Sequence, residues 1–100
     1  MGEQGSPRMA VYMVVDRERE HQDRKWGAVD PSRPKAIATW LNIAAEELRE
    51  AWDALLEAGE EQLCSDDVRR EIVQCAAMLI AALEEYGAVE CHDSQQERRG

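Results

Sequence analysis

The chain has no Phe and only three Pro, and aromatic residues make up just 5% of it. Any core it builds is mostly aliphatic, and collagen-like or proline-rich disordered architectures are excluded. Its three cysteines, Cys64, Cys75 and Cys91, are odd in number and show no C-x-x-C spacing, which argues against a disulfide framework and for reduced thiols. Cys91 and His92 are adjacent, so their side chains diverge, and no second pair accompanies them; structural zinc is not expected. No run reaches the roughly 20 apolar residues of a membrane span, and the N-terminus lacks the basic start, apolar stretch and small-residue cleavage site of a secretory leader. A cytoplasmic location without a membrane partner is expected. Basic residues are also scarce: 12 Lys+Arg against 21 Asp+Glu give a formal charge of −9 and a pI near 4.6. This balance opposes the counterion release that drives nucleic-acid binding, so no nucleic-acid partner is expected.

What is present describes one small helical domain. Of the 100 residues 44% are hydrophobic and 33% charged, near the size at which a single core becomes self-sufficient. Charge is unevenly placed. Arg17, Arg19, Arg24, Lys25, Arg33 and Lys35 hold half of the basic residues, whereas positions 46–90 carry thirteen acids against Arg49, Arg69 and Arg70.

Residues 1–6 and 93–100 are polar, glycine-containing ends with nothing periodic to bury, and are expected to be disordered. Between them, residues 7–92 form a single domain. Ser6-Pro7 reads as an N-cap followed by Pro at the first helical position, opening a helix to about Lys25; a short strand over residues 9–15 is the alternative. Gly27 to Pro34 has loop chemistry. A second helix starts near Pro34 or with Thr39 as its cap and runs to Ala58, with Gly59 as terminator. Its apolar stripe is Ile37, Leu41, Ala44, Leu48, Ala51, Trp52 and Leu55. Ser65 caps a third helix, Asp66 and Asp67 suit its first turn, and Gly87 ends it. The stripe there is Val68, Ile72, Cys75, Ala76, Leu79, Leu83 and Tyr86. The expected fold is all-α: an antiparallel hairpin of two long helices plus an N-terminal helix. Apolar flanks at Ile43, Ala54, Met78 and Ala82 suggest self-association into a four-helix-bundle core.

A second face of both helices carries acids. At about 100° per residue, with Leu48 at zero, Glu47 falls near −100° and Glu50 near −160°. With Ile72 at zero, Glu71 falls near −100° and Gln74 near −160°. Carboxylates brought together on facing helices repel unless protons or a cation compensate. An oxygen-only set suits Mg²⁺, and the absence of His or Cys on this face argues against zinc or a His-containing di-iron centre.

Glu46-Glu47-Leu48-Arg49-Glu50, followed after twenty residues by Glu71-Ile72-Val73-Gln74, resembles the E-E-x-x-E and E-x-x-D signature of the MazG-like all-α nucleoside triphosphate pyrophosphohydrolases. Gln22-Asp23-Arg24-Lys25-Trp26-Gly27 is similar to the Q-D-x-K-W-G segment of that family's small phage and bacterial branch. The resemblance spans residues 16–86. It implies Mg²⁺-dependent hydrolysis of a nucleoside triphosphate between its α- and β-phosphates, with Mn²⁺ as a possible substitute, in homodimers or homotetramers. It also implies Glu47, Glu50, Glu71 and Gln74 as metal ligands and Glu46 as the acid that orients or deprotonates water. Gln74 stands where the family usually has Asp, which removes one anionic ligand. Arg24 and Lys25 are the candidate phosphate-binding cations, and Trp26 and Trp40 the candidate base-stacking rings.

Other readings compete. Glu46, Glu47 and Glu50 also fit a solvated helix face laced by Arg49, Arg24 and Lys25 a soluble helix end, and both tryptophans core or dimer packing. The rival for the whole chain is a non-catalytic acidic module that dimerises and binds a nucleotide or a partner protein.

Overall fold

The computed structural model describes residues 5–59 and 65–92. Among these residues the chain forms three α-helices and no strand: α1 (Pro7–Trp26), α2 (Ile37–Ala58) and α3 (Asp66–Tyr86). Residues 1–4, 60–64 and 93–100, with the expectations that fall on them, lie outside the described residues.

In α1 the Ser6 Oγ accepts the Met9 N–H at 3.2 Å and Pro7 takes the first helical position, so one exposed donor is satisfied and Pro costs no hydrogen bond. Residues 9–15 belong to this helix, which removes the strand alternative. Helix α2 begins between its two expected starts. Ala36 is the N-cap and makes no side-chain capping bond, while Thr39 already lies in the first turn, its N–H bonded to the Ala36 carbonyl at 2.9 Å. In α3 the Ser65 Oγ accepts the Val68 N–H at 3.3 Å. Asp66 and Asp67 occupy its first turn, where the helix dipole favours negative charge. Each also pairs with the arginine three residues on, Arg69 and Arg70. Gly87 closes α3 at φ 92° with its N–H returned to the Leu83 carbonyl at 2.7 Å, a conformation that a Cβ would strain.

Helix α3 is the central element and packs against both α1 and α2. Along α2 and α3 the contacts run in opposite order: Trp40 meets Glu85, Ala44 meets Cys75, and Glu47 meets Gln74.

The core corrects the expected inside face. It consists of Trp40, Ala44, Met78, Ala81 and Ala82, with Val29, Ile43 and Cys75 packed against it. The large residues of the expected stripes are outside: Leu41, Leu48, Trp52, Ile72, Leu79 and Leu83 are each between 41% and 58% exposed. Only Ala44, Ala51 and Val68 of those stripes are buried. Met78 and Ala82, expected to need a second chain, are covered within this one. The physical reason is size. The small side chains of Ala44, Ala81 and Ala82 leave room for Trp40 and Met78 between the helices, and the Leu and Ile side chains of the stripes are left outside that contact. The α2 contact face is therefore turned about 70° from the Leu48 stripe toward the carboxylate side.

Between α1 and α3 the contact is polar. Arg19 and Gln22, 5% and 4% exposed, join Val15 on the inner face of α1. The Arg19 guanidinium grips Glu84 with two bonds, Nε to Oε2 at 2.9 Å and Nη2 to Oε1 at 2.6 Å. It also donates to Asp23 at 2.9 Å and to Gln22 at 3.2 Å. Every donor that burial removes from water thus finds an acceptor.

Candidate functional site

Because the α2–α3 contact is turned toward the acids, Glu47, Glu50 and Glu71 converge. Each offers one carboxylate oxygen within 4.8 Å of the others, and Glu47 and Glu71 are half-buried. Among the described residues this is the one such grouping of acidic, His or Cys side chains. Burial, followed by the charges of Glu50 and Glu71, pushes the Glu47 carboxyl up to about 7. Burial and then Glu50 also raise Glu71. The cluster resists holding its full negative charge at neutral pH.

Gln74 sits between the two helices at this point. With its amide nitrogen turned inward it donates to Glu71 Oε1 at 3.0 Å and to Glu47 Oε1 at 3.2 Å. With the amide rotated by half a turn, its carbonyl oxygen instead joins the carboxylates as another neutral acceptor. Cys75 lies one residue further, its thiol donating to the Ala44 carbonyl at 3.4 Å. Burial and the nearby Glu47 push that thiol up, so it is a packing group and not an activated nucleophile.

Glu47 also borders a cleft of about 690 Å³, lined among others by Gln22, Trp26, Arg33, Lys35 and Trp40. That volume is in the range of small-molecule sites. The structure distributes the remaining expected site residues unevenly. Trp26 lines the cleft and is 60% exposed, with the Lys25 ammonium 5.0 Å from its ring centroid. Trp40 lines it as a core residue, 5% exposed, with its indole N–H donated to Glu85 at 2.7 Å. Arg24 and Lys25 are exposed and are not among the residues lining the cleft. Glu46 stands apart from the triad, exposed and paired with Arg49 at 3.3 Å.

Two cations of the cleft escaped the sequence reading as site residues. Arg33 and Lys35 reach the cleft from the loop between α1 and α2; their place in the basic segment was the only signal. Glu85 holds that loop. Its Oε1 accepts the Lys35 N–H at 3.0 Å and the Trp40 indole at 2.7 Å. Although burial works the other way, these bonds, one from the Asp30 backbone and the charge of Lys35 hold Glu85 below the usual carboxylate range. Nothing local in the sequence marks a carboxylate whose partners lie 45 and 50 residues away.

Among the described residues no helix is long and apolar enough to cross a membrane. Comparison with protein-family models, curated proteins and solved structures finds no match to the chain.

Proposed function

We propose that this chain is a Mg²⁺-dependent nucleoside triphosphate pyrophosphohydrolase that cleaves the α–β phosphate bond of (d)NTPs to give (d)NMP and pyrophosphate. The reaction and substrate class follow from the resemblance of Glu46–Glu50 and Glu71–Gln74 to the MazG-like signature, and the observation that supports a cation site for it is the meeting of Glu47, Glu50 and Glu71 within 4.8 Å beside a cleft of about 690 Å³. Three carboxylates this close on two helices need protons or a cation, and the oxygen-only donor set, with the Gln74 carbonyl available to it, fits a hard divalent ion. Mn²⁺ would fit the same donors. When bound, such an ion supplies the positive charge that offsets a polyphosphate and activates water for attack on phosphorus.

The protein's own residues do the rest. Glu47, Glu50 and Glu71 would hold such an ion, with Gln74 either joining them through its oxygen or donating its N–H groups to two of them. Trp26, exposed at the cleft, offers a ring face to a base, while Trp40 serves as the cleft wall. Glu46 is assigned no part in holding the ion. We further read α2 and α3 as an antiparallel hairpin, and the exposed Leu41, Leu48, Trp52, Ile72, Leu79 and Leu83 as the face on which copies meet in a four-helix core, in a homodimer or homotetramer. A cytoplasmic setting agrees with the free thiols of Cys75 and Cys91.

The test is a pyrophosphate-release screen of the purified protein against all ribo- and deoxyribonucleoside triphosphates, with Mg²⁺, with Mn²⁺ and with chelator. Metal-dependent release of pyrophosphate and monophosphate is expected. Silence across the panel from folded, metal-supplied protein would favour the second reading, a non-catalytic module that binds a nucleotide or a partner protein. Gln74 supports that reading, since a neutral amide stands where the resembled family has an anionic ligand and its nitrogen can hydrogen-bond two of the carboxylates without any ion.

A further inference from the structure

A polyphosphate needs cations, and in a chain of net charge −9 their placement is decisive. Arg24 and Lys25 are not among the residues lining the cleft that Glu47 borders, whereas Arg33 and Lys35 are. Lys35 is held on both sides of its backbone by the end of α3: its N–H donates to Glu85 Oε1 at 3.0 Å, and its carbonyl accepts the Tyr86 hydroxyl at 2.6 Å. Its ammonium stands 5.0 Å from the centroid of the Trp40 ring, which itself walls the cleft. Arg33 is fixed through its turn. Its N–H donates to the Asp30 carbonyl at 2.9 Å, and the Asp30 carboxylate takes the Ser32 N–H at 3.0 Å and hydroxyl at 2.7 Å. With the loop backbone pinned, binding an anion to these two cations spares the cost of ordering the loop itself.

We infer that Arg33 and Lys35 form the anion subsite of this cleft, taking the phosphate chain of a nucleotide, and that Glu85 and Tyr86 are positioning residues that hold Lys35 toward it. Naming the ligand a polyphosphate rests on the proposed function; the location of the subsite rests on the cleft and the pinned loop.

Isothermal titration with inorganic tripolyphosphate in Mg²⁺ tests it, with circular dichroism confirming fold. Lys35→Met, Lys35→Gln and Arg33→Met are each expected to weaken binding about tenfold or more, and Lys35→Arg to stay within about threefold of wild type. The double variant Arg24→Met/Lys25→Met is expected to bind like wild type. Tyr86→Phe and Glu85→Gln should raise KM for a hydrolysed nucleotide while leaving kcat within about twofold, since a loosened loop loses binding and not chemistry. Wild-type affinity in the Lys35 and Arg33 variants, loss in the Arg24/Lys25 variant instead, or no tripolyphosphate binding by wild type would overturn the subsite. Lys35-dependent binding without any nucleotide hydrolysis would sink the hydrolase reading and leave the subsite standing. Hydrolysis whose KM ignores Lys35 and Arg33 would do the reverse.

Discussion

The carboxylates of Glu47 on α2 and Glu71 on α3 reach within 4.8 Å of each other, so the two helices press like charges together at the place where they pack. Glu47→Gln removes one of those charges and keeps an oxygen. The metal-free variant is expected to melt about 3–6 °C higher than wild type, the shift that a kilocalorie or less produces in a domain of this size. Metal-dependent hydrolysis should fall by about a hundredfold or more as a ligand charge is lost. Scanning fluorimetry in chelator and the pyrophosphate assay check the two halves; a lower melting temperature or undiminished turnover would remove Glu47 from the site.

Acidity should stabilise the metal-free protein. The Glu47 carboxyl lies at about 7 against an ordinary value of 4.5, and Glu71 is raised as well. Below 4.5 both folded and unfolded chains hold the Glu47 proton; between 4.5 and 7 only the folded chain holds it. Stability from this group is therefore complete at low pH and lost as pH rises through that window. Glu85 and Asp30, lowered in the folded chain, act with the opposite sign, but in a more acidic range. Chemical denaturation in chelator should show stability falling from pH 5 to pH 8, with the slope flattened in Glu47→Gln. An unchanged slope in that variant would assign the fall elsewhere.

Gln74 is the position where metal affinity and metal-free stability should trade. In Gln74→Asp the amide that can donate to Glu71 at 3.0 Å and to Glu47 at 3.2 Å becomes a fourth carboxylate. Mg²⁺ is expected to bind about tenfold more tightly, as ligand charge increases, while the chelated protein loses about 1 kcal/mol or more from added repulsion. Titration calorimetry with Mg²⁺ and urea denaturation measure the pair. Affinity that stays flat or falls would mean that Gln74 does not face the cation.

Arg19 and Glu84 form an unequal ion pair, with side chains 6% and 39% exposed. Glu84→Ala leaves a buried guanidinium with only Asp23 and Gln22, at an expected cost of about 2–3 kcal/mol. Arg19→Met fills the same stem volume and lets the half-exposed Glu84 return to water, costing about 1 kcal/mol. Urea unfolding of both variants decides; the reverse order would show that the stem packing of Arg19, not its charge, joins α1 to α3.

The uncovered apolar face should be an interface. Leu48 is 51% and Leu83 50% exposed, and both belong to the stripes that the α2–α3 contact leaves outside. In size-exclusion chromatography with light scattering the wild type is expected to run as an oligomer and Leu48→Glu and Leu83→Glu each as a monomer, because an unpaired carboxylate cannot be desolvated cheaply there. A monomeric wild type would contradict this use of the face.

Local chemistry determined much of this protein from sequence alone. Ser6, Ser65, Gly59 and Gly87 mark helix ends because a capping hydroxyl or a left-handed backbone is decided by the residues next to it. The 3.6-residue period puts Glu47 with Glu50 and Glu71 with Gln74 on one side of each stripe whatever the partner helix does. Which side of a helix faces inward is not a local property. The bulk of Leu41, Leu48, Ile72 and Leu83 marks them as core by hydrophobicity, yet α2 and α3 pack through Ala44, Ala81 and Ala82, whose small side chains leave room for Trp40 and Met78 between the helices. That rotation alone carries the carboxylates into one cluster and leaves the leucines for another surface. Likewise Lys35 and Arg33 are merely basic loop residues until Glu85 and Tyr86, some 50 positions later in the chain, hold the loop over the cleft. Helix ends and faces follow from neighbours along the chain; the choice of buried face and the residues lining the cleft follow from contacts between segments far apart, and only the tertiary structure decides those.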